Sequence, residues 1–155
     1  MSFFKYAGVI LREATRHILH RPVVGALAVA RTPDGRVLLI RRGDSGKWAL
    51  PGGTLEWNET LQKGLAREIE EETGATLVRL GKVRAIYSRP DRDWRFHAVT
   101  IVVLAEVAEP VRGPHNPLEI REAKLFSLDA LPKDLDFDGK AVLDQALSDD
   151  DVLLE

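Results

Sequence analysis

The sequence predicts a mixed α/β domain, and three observations carry that prediction. Apolar runs rich in β-branched residues are separated by strong turn signals. One well-bounded amphipathic helix occupies the middle of the chain. A second helical segment follows further strand-like runs near the end. Periodicity by itself supports a mixed domain with antiparallel hairpins, on a chain whose 155 residues suit a single domain over 1–155 with a sizeable core.

The elements follow in order. Residues 1–20 read as an amphipathic helical extension, with Phe3, Tyr6 or Ala7, Ile10, Ala14 and Ile18 recurring at helical spacing. Lys5, Arg12, Glu13 and Arg16 interrupt any signal-peptide core. The helix is expected to pack on the domain, with a homodimer contact as the alternative. Residues 22–30 form an apolar strand that ends at the turn Thr32-Pro33-Asp34-Gly35, and residues 36–42 return as its hairpin partner. Residues 43–47 read as a polar loop, and Pro51-Gly52-Gly53 breaks regular structure ahead of a helix over 60–73. Leu61, Leu65 and Ile69 give that helix its apolar stripe, and Gly74 stands where a left-handed residue would end it. Beyond it, 75–87 is strand-like in its later half, 94–107 is a long strand, and 109–117, with three prolines, is a loop. Residues 123–128 form a short strand, 128–132 a brief turn and 139–147 a last helix. The acidic tail 148–155 is expected to fray.

Composition excludes several classes of function. The net charge of −2 gives no overall attraction to nucleic acid or anionic membrane, so neither is expected as a partner. No apolar run reaches the roughly 18 residues of a membrane span. The chain has no cysteine, which excludes disulfides, thiolate metal sites and cysteine nucleophiles and fits a cytoplasmic location. Nor do the four histidines suggest a metal site. His17 and His20 lack a ligand partner at local spacing, His97 reads as a hydrogen-bonded structural residue, and His115 lies in a loop.

The most informative stretch is the central helix with the loop before it. Gly53 is followed after five residues by Glu59, and after seven more by Arg67-Glu68-Ile69-Glu70-Glu71-Glu72-Thr73-Gly74. At about 100° per residue, Glu68, Glu71 and Glu72 share one arc of the helix, and Glu70 points away, toward solvent. A run of glutamates is ordinarily a wet surface, but this one is costly. It faces the negative end of the helix dipole, and like charges at i, i+4 destabilise a helix by about 0.2–0.5 kcal/mol per pair. A divalent cation turns that repulsion into ligation. Clustered carboxylate oxygens suit a hard ion, Mg²⁺ or Mn²⁺, that keeps waters and bridges to a substrate phosphate. Arg67, beside the acids, is placed to hydrogen-bond a ligating carboxylate and hold its orientation.

This pattern resembles the Nudix box, Gly-x5-Glu-x7-Arg-Glu-U-x-Glu-Glu-x-Gly-U with U a bulky apolar residue. Every fixed position matches and only the last U is weak, at Ala75. The resemblance covers about residues 22–147, with the fixed motif confined to 50–75. It implies an α/β/α sandwich around a mixed β-sheet and hydrolysis of a nucleoside diphosphate linked to another moiety. By matching positions, it assigns Glu68, Glu71 and Glu72, with the Gly52 carbonyl, as metal ligands. Gly53, Glu59 and Gly74 become structural residues of the box. Asn58 stands where many relatives have glycine and should preserve the same positive-φ turn.

The general base stays open between Glu68 and Glu119, the latter reading equally as a surface ion-pair residue. For substrate choice, residues 87–97 resemble a segment of ADP-ribose pyrophosphatases, with Pro90 fifteen residues beyond Ala75. Arg89, Arg92 and Arg95 would engage phosphates or a terminal ribose, and Trp94 would stack on a base. Alternatively, the stretch is a charged turn with Trp94 opening a strand. The leading expectation is a metal-dependent pyrophosphohydrolase acting on ADP-ribose or a related nucleotide sugar. A nucleoside triphosphate pyrophosphohydrolase and a non-catalytic nucleotide-sensing module are the rivals.

Overall fold

A computed structural model describes residues 15, 21–92, 96–110 and 112–155. The expected N-terminal helix therefore lies outside the described residues except for Thr15, which is helical. Among the described residues no helix is long and apolar enough to cross a membrane.

Eight strands form one mixed sheet: β1 (Val23–Arg31), β2 (Val37–Arg42), β3 (Trp48–Ala49), β4 (Gly52–Thr54), β5 (Leu77–Tyr87), β6 (Ala98–Val107), β7 (Ile120–Phe126) and β8 (Leu153–Leu154). Besides Thr15, the helices among the described residues are α1 (Leu61–Thr73) and α2 (Gly139–Leu147), with a short 3₁₀ turn at Leu128–Ala130. The main order is β3-β2-β1-β6-β5-β8, with β4 on β1 and β7 on β2.

The β1–β2 hairpin forms around the expected turn, where the Gly35 amide donates to the Thr32 carbonyl at 2.8 Å. Its antiparallel ladder registers at Arg31↔Val37, after which β2 turns to β7, from Val37↔Phe126 to Arg42↔Ile120. The longest register of β1 is parallel, with β6, from Val23↔Ala98 to Arg31↔Glu106. The same strand also receives β4, antiparallel, at Gly25↔Thr54 through Leu27↔Gly52.

Alternation along the strands supplies two cores. Ala26, Ala28 and Ala30 of β1, Leu38 of β2 and Val103, Ala105 and Val107 of β6 bury against Leu65 and Ile69 of α1. Val29, Val37, Leu39 and Val102 face the other way, toward Val142, Leu143 and Ala146 of α2. One helix on each face makes the α/β/α sandwich. The alanines of β1 keep its α1 face shallow, so the helix lies close over the strand.

Four element expectations need correction. β5 is strand throughout, because its first half pairs with β6 from Leu77↔Val107 onward. β6 begins at Ala98, and residues 93–95 lie outside the described set. β7 starts at Ile120, three residues ahead of expectation, since Arg42 extends the β2 ladder across a bulge. The tail is not frayed: Leu153 and Leu154 pair in parallel with Ala85 and Ile86.

Candidate active site

Local chemistry shapes the approach to α1. The Asn58 turn takes the expected positive φ of 65°. The Thr60 hydroxyl accepts from the Lys63 amide as N-cap, and at the other end left-handed Gly74, φ 69°, donates its amide to the Glu70 carbonyl. Glu59 and Arg67 form a fork, Nε to Oε1 at 2.9 Å and Nη2 to Oε2 at 3.0 Å. Glu59 also accepts the Glu56 amide at 2.9 Å. The Arg67 guanidinium, then the Glu56 amide, lower the Glu59 pKa to about 2.

The two glycines before the box helix are required by close approach. Gly52 has φ 145°, and a Cβ there would meet the Ala26 carbonyl oxygen at 2.1 Å. Its amide donates to Glu72 Oε2 at 2.8 Å. A Cβ on Gly53 would meet Glu68 Oε1 at 2.5 Å, so the carboxylate lies directly on the strand backbone. β4 thus touches two of the helix carboxylates.

Glu68, Glu72 and Glu119 line one cavity of about 650 Å³. Burial, reinforced by the charges of Glu68 and Glu119, pushes the Glu72 carboxyl up to about 8, against the opposing Gly52 amide and Arg42. Burial likewise raises Glu68, where the opposing hydrogen bond comes from Arg67 Nη1, 2.9 Å from Oε1. Glu71 lies outside the cavity lining, half-exposed, with Oε2 3.5 Å from the same nitrogen. Glu119 sits just before β7, where its carbonyl accepts the Gly43 amide at 2.6 Å. No three His, Asp or Glu side chains among the described residues stand as a finished metal-ligand cluster.

Glu70 turns away from the carboxylate arc as expected but is not merely solvated. It pairs with Arg112, and His115 Nε2 lies 3.5 Å from it. The His115 amide donates to the Glu71 carbonyl at 2.8 Å, so the 112–115 loop satisfies the end of α1.

Arg89 and Arg92 line the same cavity as the glutamates, together with Tyr87, Asp91 and Phe96. Trp94 and Arg95 lie outside the described residues. Arg92 stacks on the Tyr87 ring, 3.8 Å from its centroid, and its Nε and Nη2 contact the Glu155 carboxylate at 3.0 and 3.3 Å. Arg89 Nε stands 3.3 Å from Asp91 and 3.8 Å from Glu155. His97 is hydrogen-bonded through Nε2 to the Ser88 carbonyl at 2.7 Å, in keeping with a structural role.

The sequence reading missed several lining residues. Arg42 reaches the cavity in a two-point pair with Asp44, at 2.9 and 2.6 Å. Phe137 and Asp138, with φ of 52° and 54°, bring the start of α2 to the wall. Left-handed backbone at a non-glycine pair is costly and no residue type announces it. Glu155, which holds the arginines, was hidden in a tail that reads as solvent-exposed.

A glycine-containing strand lying against the carboxylates of a helix, beside a cleft of ligand size, places the chain among α/β/α sandwiches with a carboxylate-lined site. The chain belongs to the NUDIX domain family, whose model matches residues 19–146. It is 38% identical over 115 residues to an ADP-ribose pyrophosphatase of Methanocaldococcus jannaschii, covering 71% of this chain and 64% of that protein. A MutT-like protein of Streptomyces ambofaciens is 44% identical over 81 residues, 52% of this chain and 51% of that one. The match therefore spans less than two thirds of either relative. Among solved structures, a MutT NUDIX hydrolase from Burkholderia pseudomallei superposes with a TM-score of 0.69 at 34% identity, covering 81% of this chain and 98% of that one.

Proposed function

We propose that this protein is a divalent-metal-dependent pyrophosphohydrolase that cleaves a nucleoside diphosphate linked to a second moiety, with ADP-ribose or a related nucleotide sugar as substrate. The observation that carries the reading is the shared cavity: Glu68, Glu72 and Glu119 line it together with Arg89 and Arg92. A diphosphate needs both a carboxylate-held cation and polar groups for its ends, and the volume of about 650 Å³ suits a nucleotide.

The donor set fits Mg²⁺ or Mn²⁺. Glu72 is buried against its neighbours' negative charge, opposed by the Gly52 amide and Arg42. Glu68, Glu71, Glu72 and the Gly52 carbonyl would hold the ion, leaving positions for water and phosphate oxygen. When bound, the ion neutralises charge that develops on the diphosphate. Arg67 holds the Glu68 carboxylate in place, and Glu59 holds Arg67. A carboxylate oxygen of Glu68 or Glu119 accepts the proton of the attacking water. Arg89 and Arg92 contact phosphate or the terminal sugar; Arg95 and Trp94, which lie outside the described residues, keep the roles the resemblance gives them at the sugar and the base.

The similarity to a protein named MutT-like supports a second reading, nucleoside triphosphate pyrophosphohydrolysis at the same site. A panel of ADP-ribose, nucleotide sugars, nucleoside triphosphates and dinucleoside polyphosphates, with Mg²⁺ or Mn²⁺ and an EDTA control, separates the readings. AMP release from ADP-ribose that EDTA abolishes is the expected result. Preference for triphosphates would select the second reading, and silence across the panel would select a nucleotide-sensing module.

A further inference from the structure

Among the described residues, each arginine lining the cavity carries a carboxylate partner. Arg42 is paired with Asp44, Arg89 with Asp91 and Glu155, and Arg92 with Glu155. Glu155 is brought there by a built connection. β8 runs parallel to β5, and the Glu155 amide donates to the Ile86 carbonyl at 3.0 Å. The Ser88 hydroxyl donates to the Glu155 carbonyl at 2.5 Å. Upstream, the Arg84 guanidinium donates to the carbonyls of Ala146, Ser148 and Asp150, fastening the segment between α2 and β8.

We infer that Glu155 is a positioning residue that sets which nucleotides the cavity accepts: by holding and neutralising Arg92, and in part Arg89, it favours a diphosphate ending in a neutral, hydroxyl-bearing group over a triphosphate. This inference rests on the pyrophosphohydrolase reading above. Among the described residues, the carboxylates of Asp91 and Glu155 offset the charges of Arg89 and Arg92. A third phosphate there meets the Asp91 carboxylate and an arginine already committed to Glu155, and like charges at close range oppose binding. Sugar hydroxyls instead find acceptors in the lone pairs that Asp91, on the cavity lining, retains. Arg92 cannot swing to a phosphate without giving up both its two-point contact and the Tyr87 ring.

The test compares kcat/KM for ADP-ribose and for ATP with Mg²⁺ in the full chain, Glu155→Gln and Glu155→Asp, with melting curves as a fold control. The expected result is a fall of about tenfold in the ADP-ribose-to-ATP ratio for Glu155→Gln, carried mainly by a lower KM for ATP. Glu155→Asp should restore most of the ratio. Asp91→Asn provides an independent variant and should move the ratio the same way by a smaller factor. An unchanged ratio in a folded Glu155→Gln protein, or parallel loss on both substrates, overturns the inference. Binding of ADP-ribose and ATP in EDTA, measured by calorimetry, keeps the two proposals apart. If the wild type turns over no nucleotide of the panel above, the enzymatic reading fails. The inference then stands or falls on whether Glu155→Gln shifts the two affinities unequally.

Discussion

The two walls of the cavity are built on different plans. Apart from Glu119, the carboxylate wall comes from a nearly continuous stretch, β4 through Gly74, in which each residue's role follows from its neighbours: Thr60 caps, Glu59 forks to Arg67, and the glycines admit Glu68 and Glu72. The arginine wall joins pieces from distant parts of the chain, for Arg92 and Glu155 are 63 residues apart. One wall is held by local geometry and the other by tertiary pairing. The first should therefore fail sharply at single atoms, and the second should yield by degrees.

The largest effect should come from the helix carboxylates. Glu72→Gln and Glu71→Gln each keep side-chain shape while removing charge, and each should lower kcat by about 100-fold or more with the fold intact. Near-wild-type turnover in both would sink the ligand assignment. Next comes Gly53→Ala, whose Cβ would collide with the Glu68 carboxylate. Displacing that group should cost on the order of 10- to 100-fold in rate, with little change in the melting temperature. Metal removal gives a smaller, thermodynamic signal. Mg²⁺ at about a hundredfold over its Kd should stabilise the protein by roughly 2.7 kcal/mol, and Glu72→Gln should shrink that gain.

The fork makes a pH prediction. Glu59 has a folded pKa of about 2, below its ordinary 4.5. Its contribution is then fully present above pH 4.5 and is lost as pH falls through about 2. Wild-type protein should therefore lose stability more steeply than Glu59→Gln between those values in acid melting curves. The smallest effect belongs to the tail. Leu154→Pro restricts edge strand β8 beside Ile86, whose carbonyl takes its hydrogen bond from the Glu155 amide, and should cost below about 1 kcal/mol in global stability. A loss several times larger would show that the arginine wall is as tightly coupled to the fold as the box.

The same contrast explains what could be read from the sequence. The extent of α1, the Asn58 turn and the Gly74 cap follow from constraints within a few residues, so the pattern of residue types reveals them. α2 was also legible, from its apolar spacing. The parallel β1–β6 pairing was not, because each strand is an apolar run that fits more than one neighbour. Ser148 to Glu155 look like a solvated acidic end until Arg84, Arg89 and Arg92 are seen waiting for them. Glu70 reads as solvated for the same reason, its Arg112 partner lying in the proline-rich loop 109–117. Phe137 and Asp138 hide for a different cause: they adopt a conformation that their residue types disfavour.

The Gly52 amide offers a way to watch the site directly. Its proton points at Glu72 Oε2 across 2.8 Å, so its NMR frequency follows the electron density on that oxygen. Any event that loads the carboxylate, whether a proton or a cation, moves a single backbone resonance. A nitrogen-15 spectrum of the nucleotide-free protein thus becomes a titration readout of Glu72, with no substrate, turnover or added label at the site.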